Sequence, residues 1–269
     1  MLSKSKLKLL RGLSQKKVRE KEGMFLVEGW RGVEEACASL TEISLLVFTA
    51  DSKRNERYAS ILSAAKKIAH ESYETSAKEF QLFADTVTAQ GIAAVVKTFS
   101  NEQDNVLSQL TKKGISFVLA LDEIADPGNL GTMIRTCDWF GVDGILLSRN
   151  CVELYNPKVV RSTVGSIFRL PFIDCSQSKS TFPEILTKLK KGGFVLYGAE
   201  VSGSNDLRSL PWPDKAVVIV GNEARGISPE IHAMLDQHVS IPRFGKAESL
   251  NAGIAVGVLL SHYSFQKRS

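Results

Sequence analysis

Two stretches toward the C-terminus have residue types and spacing that could hold a ligand. Glu223 sits within Gly221-Asn-Glu-Ala-Arg-Gly226, whose glycine spacing is that of a phosphate-binding loop. Ile227, however, stands where the lysine reaching the phosphates would be, and this excludes a mononucleotide-kinase reading. No Gly-x-Gly-x-x-Gly follows a strand-like run, so an ordinary dinucleotide or Rossmann methyltransferase loop is unsupported. The second stretch, Ile241–Leu260, is a polar loop that turns into an apolar helix, and backbone N–H groups ahead of such a helix suit a polar ligand. Ser249 is expected as the helix N-cap. Asn251 is then inside the first turn, a costly place for asparagine, which points to a ligand or partner contact. The four cysteines and four histidines show neither a Cys-x-x-Cys pair nor zinc-like spacing, so they read as structural and no metal is expected.

These side chains need a scaffold, and the hydrophobic pattern supplies one. From Ser116 onward, strand-like runs at Ser116–Leu121, Gly144–Leu147, Phe194–Tyr197, Ala216–Val220 and Val239–Ile241 alternate with helical segments at Leu130–Phe140, Phe182–Lys191, Pro229–Leu235 and Leu250–Phe265. Continuous apolar strands separated by helices imply a parallel sheet covered on both faces. Ligands of such sheets gather beyond the carboxyl ends of the strands. The loops there are Asp122–Leu130, Gly198–Ser204, Gly221–Ser228 and Pro242–Ser249. In the last helix Gly253 and Gly257 clear one face for a close backbone approach.

The first hundred residues read as a smaller α/β layer. Strands are expected at Met24–Val27, Ile43–Thr49 and Gly91–Val96, with helices at Trp30–Leu40, Tyr58–Lys67 and Ser76–Phe83. A polar stretch follows, giving domains at 1–100 and 115–269 with a linker at 101–114 that holds a short helical pattern. Two domains suit 269 residues of which 43% are hydrophobic. Neither a membrane-spanning apolar run nor a secretory signal is visible, so the cytoplasm is expected. Through residue 22 the chain carries eight basic residues against Glu20 and Glu22, a net +6 in a protein whose total is +5. Such a basic arm, with Lys16, Lys17 and Arg19 at its centre, suits a polyanion such as RNA. Its plainer readings are a solvated helix face or an organellar transit segment.

Three blocks in order, Asn129–Gly141, Val220–Ser228 and Ile241–Leu260, resemble the three motifs of the SpoU-type (TrmH-like) RNA 2′-O-ribose methyltransferases of the SPOUT superfamily. Arg161-Ser-Thr-Val-Gly-Ser-Ile-Phe-Arg-Leu-Pro171 is similar to the segment between the first two, and the N-terminal part, with Phe25-Leu-Val-Glu-Gly29, to the substrate-binding domain often joined to them. The resemblance implies a deep trefoil knot in the C-terminal parallel-sheet domain, a homodimer formed through that domain with the Gly253/Gly257 helix near the contact, and S-adenosylmethionine as cofactor. It implies cofactor contacts at Gly198, Gly221, Asn222, Ile241 and Leu250, where a residue without Cβ at 198 and 221 would let the ligand lie on the backbone. It implies a reacting site of Asn129, Arg135, Glu223, Ser249 and Asn251.

The implied reaction places a ribose 2′-hydroxyl of structured RNA, ribosomal ahead of transfer RNA, in line with the cofactor's methyl group. Arginine stays protonated in proteins, so Arg135 is expected to hold the target phosphate and stabilise developing charge, with proton removal shared or passed to solvent. Glu223 is expected either to support its loop or to touch substrate. The alternative function is an RNA-binding or ribosome-associated factor on the same scaffold that has lost catalysis. Joint retention of the five reacting-site residues argues against it.

Overall fold

The computed structural model describes residues 2–39, 41–53, 56–86, 88–99 and 103–267. Leu40 at the expected end of a helix, Ser100 at the expected end of the first domain, and Asn101 and Glu102 of the expected linker lie outside them. The chain divides into two units, one of residues 1–100 with 153–169 and the other of residues 101–152 with 170–269.

The basic arm of unit 1 is two helices, α1 (Lys4–Gly12) and α2 (Lys16–Glu22). Ser3 caps α1 by accepting from the Lys6 N–H at 3.3 Å, and Gly23, at φ 62°, ends α2 in the left-handed conformation that glycine adopts without a Cβ penalty. The arm is anchored by its apolar side, because Leu10 and Leu13 are buried in one core with Val47, Phe80, Phe83 and Val95. There follow β1 (Met24–Glu28), α3 (Trp30–Ala38), β2 (Ile43–Thr49), α4 (Glu56–Ile68), β3 (Glu71–Thr75), α5 (Ala77–Phe80) and β4 (Ile92–Lys97). The strands order β1-β4-β2-β3, antiparallel except for β2 with β3. The sequence pattern misses β3 because it is an edge strand in which only Thr75 is buried, so no alternation marks it.

Unit 2 opens with α6 (Gln103–Lys112), then β5 (Ser116–Leu121), α7 (Pro127–Trp139) and β6 (Gly144–Leu147). The chain next forms α8 (Pro157–Thr163), which belongs to unit 1, and returns as β7 (Phe172–Asp174), α9 (Phe182–Lys191), β8 (Val195–Ala199), β9 (Asn205–Asp206), β10 (Lys215–Val220), α10 (Pro229–His232), β11 (Gln237–Ser240) and α11 (Ala252–Lys267). The seven strands pair in the order β7-β6-β5-β10-β8-β11-β9, each pair parallel. Alternate residues split between its faces. Val118, Leu196 and Val217 meet Leu186 and Leu189 of α9 on one side, whereas Phe117 and Tyr197 join Trp212 and Tyr263 in an aromatic cluster on the other. Gln103–Lys112 therefore does more than link, since Leu107 and Leu110 of α6 are buried in the α9-side core.

Residues 153–169 likewise depart from the sequence-based division by packing into unit 1. Phe25 of β1 lies 4.7 Å from Tyr155 and 6.2 Å from Phe168, ring centre to ring centre. Three arginine–carboxylate pairs surround this contact: Arg19 with Glu153, Arg161 with Asp85, and Arg169 with Glu35. Gly165 has φ 92°, and a Cβ there would collide with the Glu35 side chain, so this turn requires glycine.

Candidate active site

The site is built at the carboxyl ends of β5 and β10 and the start of two helices. Asp126 caps α7, its carboxylate accepting from the Asn129 N–H at 2.7 Å, and this holds Asn129 in the first turn. The Asn129 side chain donates from Nδ2 to Glu223 Oε1 at 2.9 Å and accepts at Oδ1 from Asn251 Nδ2, also at 2.9 Å. A carboxylate only accepts, so the Asn129 amide nitrogen must face Glu223. That leaves its oxygen for Asn251, whose own oxygen then faces the N–H groups of Gly253 (2.9 Å) and Ile254 (3.3 Å). The amide orientations agree along the whole chain, and three loops distant in sequence are tied through one side chain.

This corrects the reading of the last helix. It begins at Ala252, and its cap is Asn251 rather than Ser249. Asparagine is among the preferred capping residues, worth about 1 kcal/mol over alanine, so the position is favourable rather than costly. Ser249 and Leu250 stand exposed in the preceding loop. Among the described residues no backbone N–H of residues 243–250 donates a hydrogen bond, which leaves a run of free donors beside Asn251. Ile241, half-buried, follows directly on β11.

At the two glycines expected to contact the cofactor, the space a Cβ would need is filled by the protein. A Cβ at Gly221 would overlap the backbone at Gly226 and Ile227, where Asn222 and Gly226 bridge in a tight loop. A Cβ at Gly198 would collide with Leu235 and crowd Ile227. Asn222 is equally occupied: Nδ2 donates to the Glu123 carbonyl at 2.8 Å, while Oδ1 accepts from the N–H groups of Ala224 and Arg225. These residues shape the loop, and its exposed edge is left to Glu223.

Arg135 is not part of the hydrogen-bonded chain. It is exposed on α7, with no hydrogen bond or ion pair among the described residues. The α7 face toward α11 is marked instead by Thr132 beside Gly253 and Thr136 beside Gly257, so the close approach those glycines permit is within one chain. The guanidinium is free to take an external anion.

Sequence reasoning missed the residues beneath the site. Glu123, just past the carboxyl end of β5, has φ 60°, uncommon for a residue other than glycine. Its carboxylate pairs with Arg225 at 2.7 Å and accepts from Asn150 at 2.7 Å, while its neighbour Asp122, only 3% exposed, accepts from the Ser228 N–H at 2.8 Å. Both ends of the Gly221–Ser228 loop are thereby fixed to β5. A charged pair ending an apolar strand is the sole trace of this in the sequence. Cys137, on the buried face of α7, is no hidden nucleophile, since burial followed by the Asp138 charge pushes its thiol far above the usual range.

Of the RNA contacts expected in the arm, Lys16 and Lys17 are exposed, Lys16 reaching Glu20 at 3.7 Å. Arg19 is not available. It is 3% exposed, bound through Nε and Nη2 to both oxygens of Glu153 and through Nη1 to the Leu13 carbonyl at 2.8 Å. Its apolar neighbours Leu10 and Leu13 turn this side of the arm inward, and the charge goes with it.

Comparison with known proteins gives the same picture for both units. Residues 116–261 match the model of the SpoU rRNA Methylase family, and residues 4–94 that of the MRM3-like substrate binding domain. The chain is 32% identical over 257 residues to the Bacillus subtilis 23S rRNA (guanosine(2553)-2′-O)-methyltransferase RlmP, covering 96% of this chain and 95% of that protein. It superposes on the AdoMet-bound rRNA methyltransferase from Sinorhizobium meliloti with TM-score 0.80 at 27% identity, over 97% of this chain and 95% of the other. The SpoU methyltransferase AviRb from Streptomyces viridochromogenes shares the fold over 99% of both chains, with TM-score 0.87 at 23% identity.

Proposed function

The chain belongs to the SpoU rRNA Methylase family, and from that premise we propose that it transfers a methyl group from S-adenosylmethionine to a ribose 2′-hydroxyl of structured RNA, ribosomal RNA first. The observation that carries the assignment to this site is the Glu223–Asn129–Asn251 chain, which joins the three motif segments at the carboxyl end of a parallel sheet. The cofactor fits the donor set beside it. Free backbone N–H groups at 243–250 suit its carboxylate and adenine edges, with Gly198, Gly221, Asn222, Ile241 and Leu250 framing the loops that hold it. When bound it supplies an electrophilic methyl group.

The chain's own residues have to position and stabilise. Fixing the hydroxyl against its target can supply several kcal/mol of the barrier. Arg135, unpaired and permanently charged, holds the phosphate beside the target ribose and stabilises charge that develops on the oxygen. Asn129, Glu223 and Asn251 keep the loops in register for it. Ser249, exposed next to the cap, offers the ribose a hydroxyl partner. Unit 1 captures the RNA through Lys16 and Lys17 and reads its shape, while unit 2 carries out the chemistry. Its work on structured RNA is in the cytoplasm.

Two further features belong to the same reading. The segment after β11 forms the family's trefoil knot, supported by α11 packing onto α7, the helix that follows β5 three places away in the sheet. The protein is a homodimer. Leu250, Ile254 and Val258 are 49%, 58% and 38% exposed on or before α11, and Trp139 at the end of α7 is 84% exposed, an apolar surface suited to a second copy.

The deciding experiment is transfer of labelled methyl to total RNA from cells lacking the protein, with the modified ribose mapped, alongside calorimetry with S-adenosylmethionine. Label on a ribose 2′-oxygen with micromolar cofactor affinity is expected. RNA binding without cofactor affinity would make the protein a non-catalytic factor.

A further inference from the structure

Away from the Asn129 site, unit 2 gathers three metal-ligating side chains that the sequence scatters. Glu200 follows β8, His232 is the last residue of α10 and His238 lies in β11. Strand pairing brings the first and third together: β11 runs parallel to β8 with His238 opposite Gly198, and the Glu200 N–H donates to the Val239 carbonyl at 3.0 Å. Helix α10 then delivers His232 to the same point.

The carboxylate is shared evenly between the imidazoles. Glu200 Oε1 is 3.0 Å from His232 Nε2, and Oε2 is 3.0 Å from His238 Nδ1. The two rings are 4.9 Å apart, and one ligand atom from each of the three residues lies within 4.8 Å of the others. Among the described residues no lysine or arginine pairs with Glu200. A tetrahedral ion with bonds of about 2.0–2.1 Å has ligand-to-ligand edges of about 3.3 Å. Each nitrogen is 3.0 Å from its own carboxylate oxygen, within a few tenths of an ångström of one such edge. The imidazoles, with side chains 51% and 31% exposed, have room to turn toward a common centre.

We propose that Glu200, His232 and His238 form a binding site for a divalent zinc-class metal ion, held by two imidazoles and one carboxylate with water completing the tetrahedron. Two nitrogens and one oxygen make a borderline donor set that suits zinc over magnesium or calcium. The site is structural. It fastens the segment carrying α10, and with it Leu235 against Gly198, to the carboxyl end of β8. Spacing rules overlook it because the histidines are six residues apart and the carboxylate comes from a strand far upstream.

The full-length protein, stripped by chelator and dialysed, is to be titrated with Zn²⁺ by calorimetry, and with Co²⁺ as a spectroscopic probe. The expected result is one ion per chain at micromolar affinity or tighter, a rise in thermal midpoint, and cobalt d–d bands without the thiolate charge-transfer band that cysteine ligands would give. His238→Ala and Glu200→Gln should each weaken binding at least 100-fold, whereas His70→Ala should not change it. Glu200→Gln keeps the polar shape of the cluster, so it separates loss of a ligand from loss of structure. Wild-type affinity no tighter than millimolar, a thiolate band, or undiminished binding in a His232→Ala/His238→Ala double variant would overturn the proposal and leave a hydrogen-bonded histidine–carboxylate set.

Discussion

Asn129 donates to Glu223 at 2.9 Å across 94 positions of sequence, and the same side chain accepts from Asn251. One amide therefore sets the spacing of three loops. Asn129→Asp would bring a second carboxylate against Glu223 and remove the donor, so methyl transfer should fall at least 100-fold. A double-mutant cycle of Asn129→Ala with Glu223→Ala should show a coupling of about 0.5–3 kcal/mol, read by thermal or denaturant unfolding. Additive single variants would show that the contact does not organise the site.

Arg135 has no partner to lose, so Arg135→Ala should leave stability within about 0.5 kcal/mol of wild type. Methyl transfer should nevertheless be abolished, with S-adenosylmethionine affinity within a few fold. Arg135→Lys should also fail, because a point charge does not reproduce a planar, bidentate donor. Normal turnover by the lysine variant would remove Arg135 from the reacting site.

The arm separates into structural and binding charge. Arg19→Ala strands Glu153, only 10% exposed, and should cost about 3–5 kcal/mol of stability. Lys16→Ala with Lys17→Ala should leave the thermal midpoint in place and lower the slope of log RNA affinity against log salt by about 1.4–1.8. An unchanged slope would make that face merely solvated.

The two loop glycines differ in what blocks them. At Gly198 the obstacle is chiefly the flexible tip of Leu235, so a Gly198→Ala defect should be largely relieved by a companion Leu235→Ala. At Gly221 the obstacle is backbone at Gly226 and Ile227, and no side-chain trimming should rescue Gly221→Ala. Cofactor affinity and thermal midpoint together read both outcomes.

Burial and a neighbouring aspartate push the Cys175 thiol up to about 12 and Cys137 still higher, so neither supplies thiolate at ordinary pH. Iodoacetamide at pH 8 should leave both unmodified in the folded protein and label them after denaturation, as mass spectrometry of peptides would show.

The sequence carried the parallel sheet plainly, because strands buried on both faces write continuous apolar runs such as Phe117–Leu121. It was silent at the edges, where β3, β7 and β9 are short or polar. Asn129, Glu223 and Asn251 were found by motif, and the structure adds that they touch. The reasons assigned to neighbouring residues fared less well. Ser249 and Asn251 exchange the capping role because a helix start is uncertain by a residue or two in any pattern. Arg19 reads as one more charge in a basic run, since nothing local announces a carboxylate arriving from residue 153. Glu123 escaped notice because its partners, Asn150 and Arg225, come from loops 27 and 102 positions away.

The crossing of residues 153–169 back into unit 1 also sets the order in which the protein can be assembled. A chain leaving the ribosome presents β1 through β4 first, and domains ordinarily fold in that order of emergence. Here Phe25 waits for Tyr155 and Phe168, by which time β5, α7 and β6 have already been extruded. The first unit is therefore completed only after those elements of the second have emerged. A gene fragment ending after β4 would leave Phe25 without the rings that cover it and Arg19 without its carboxylate.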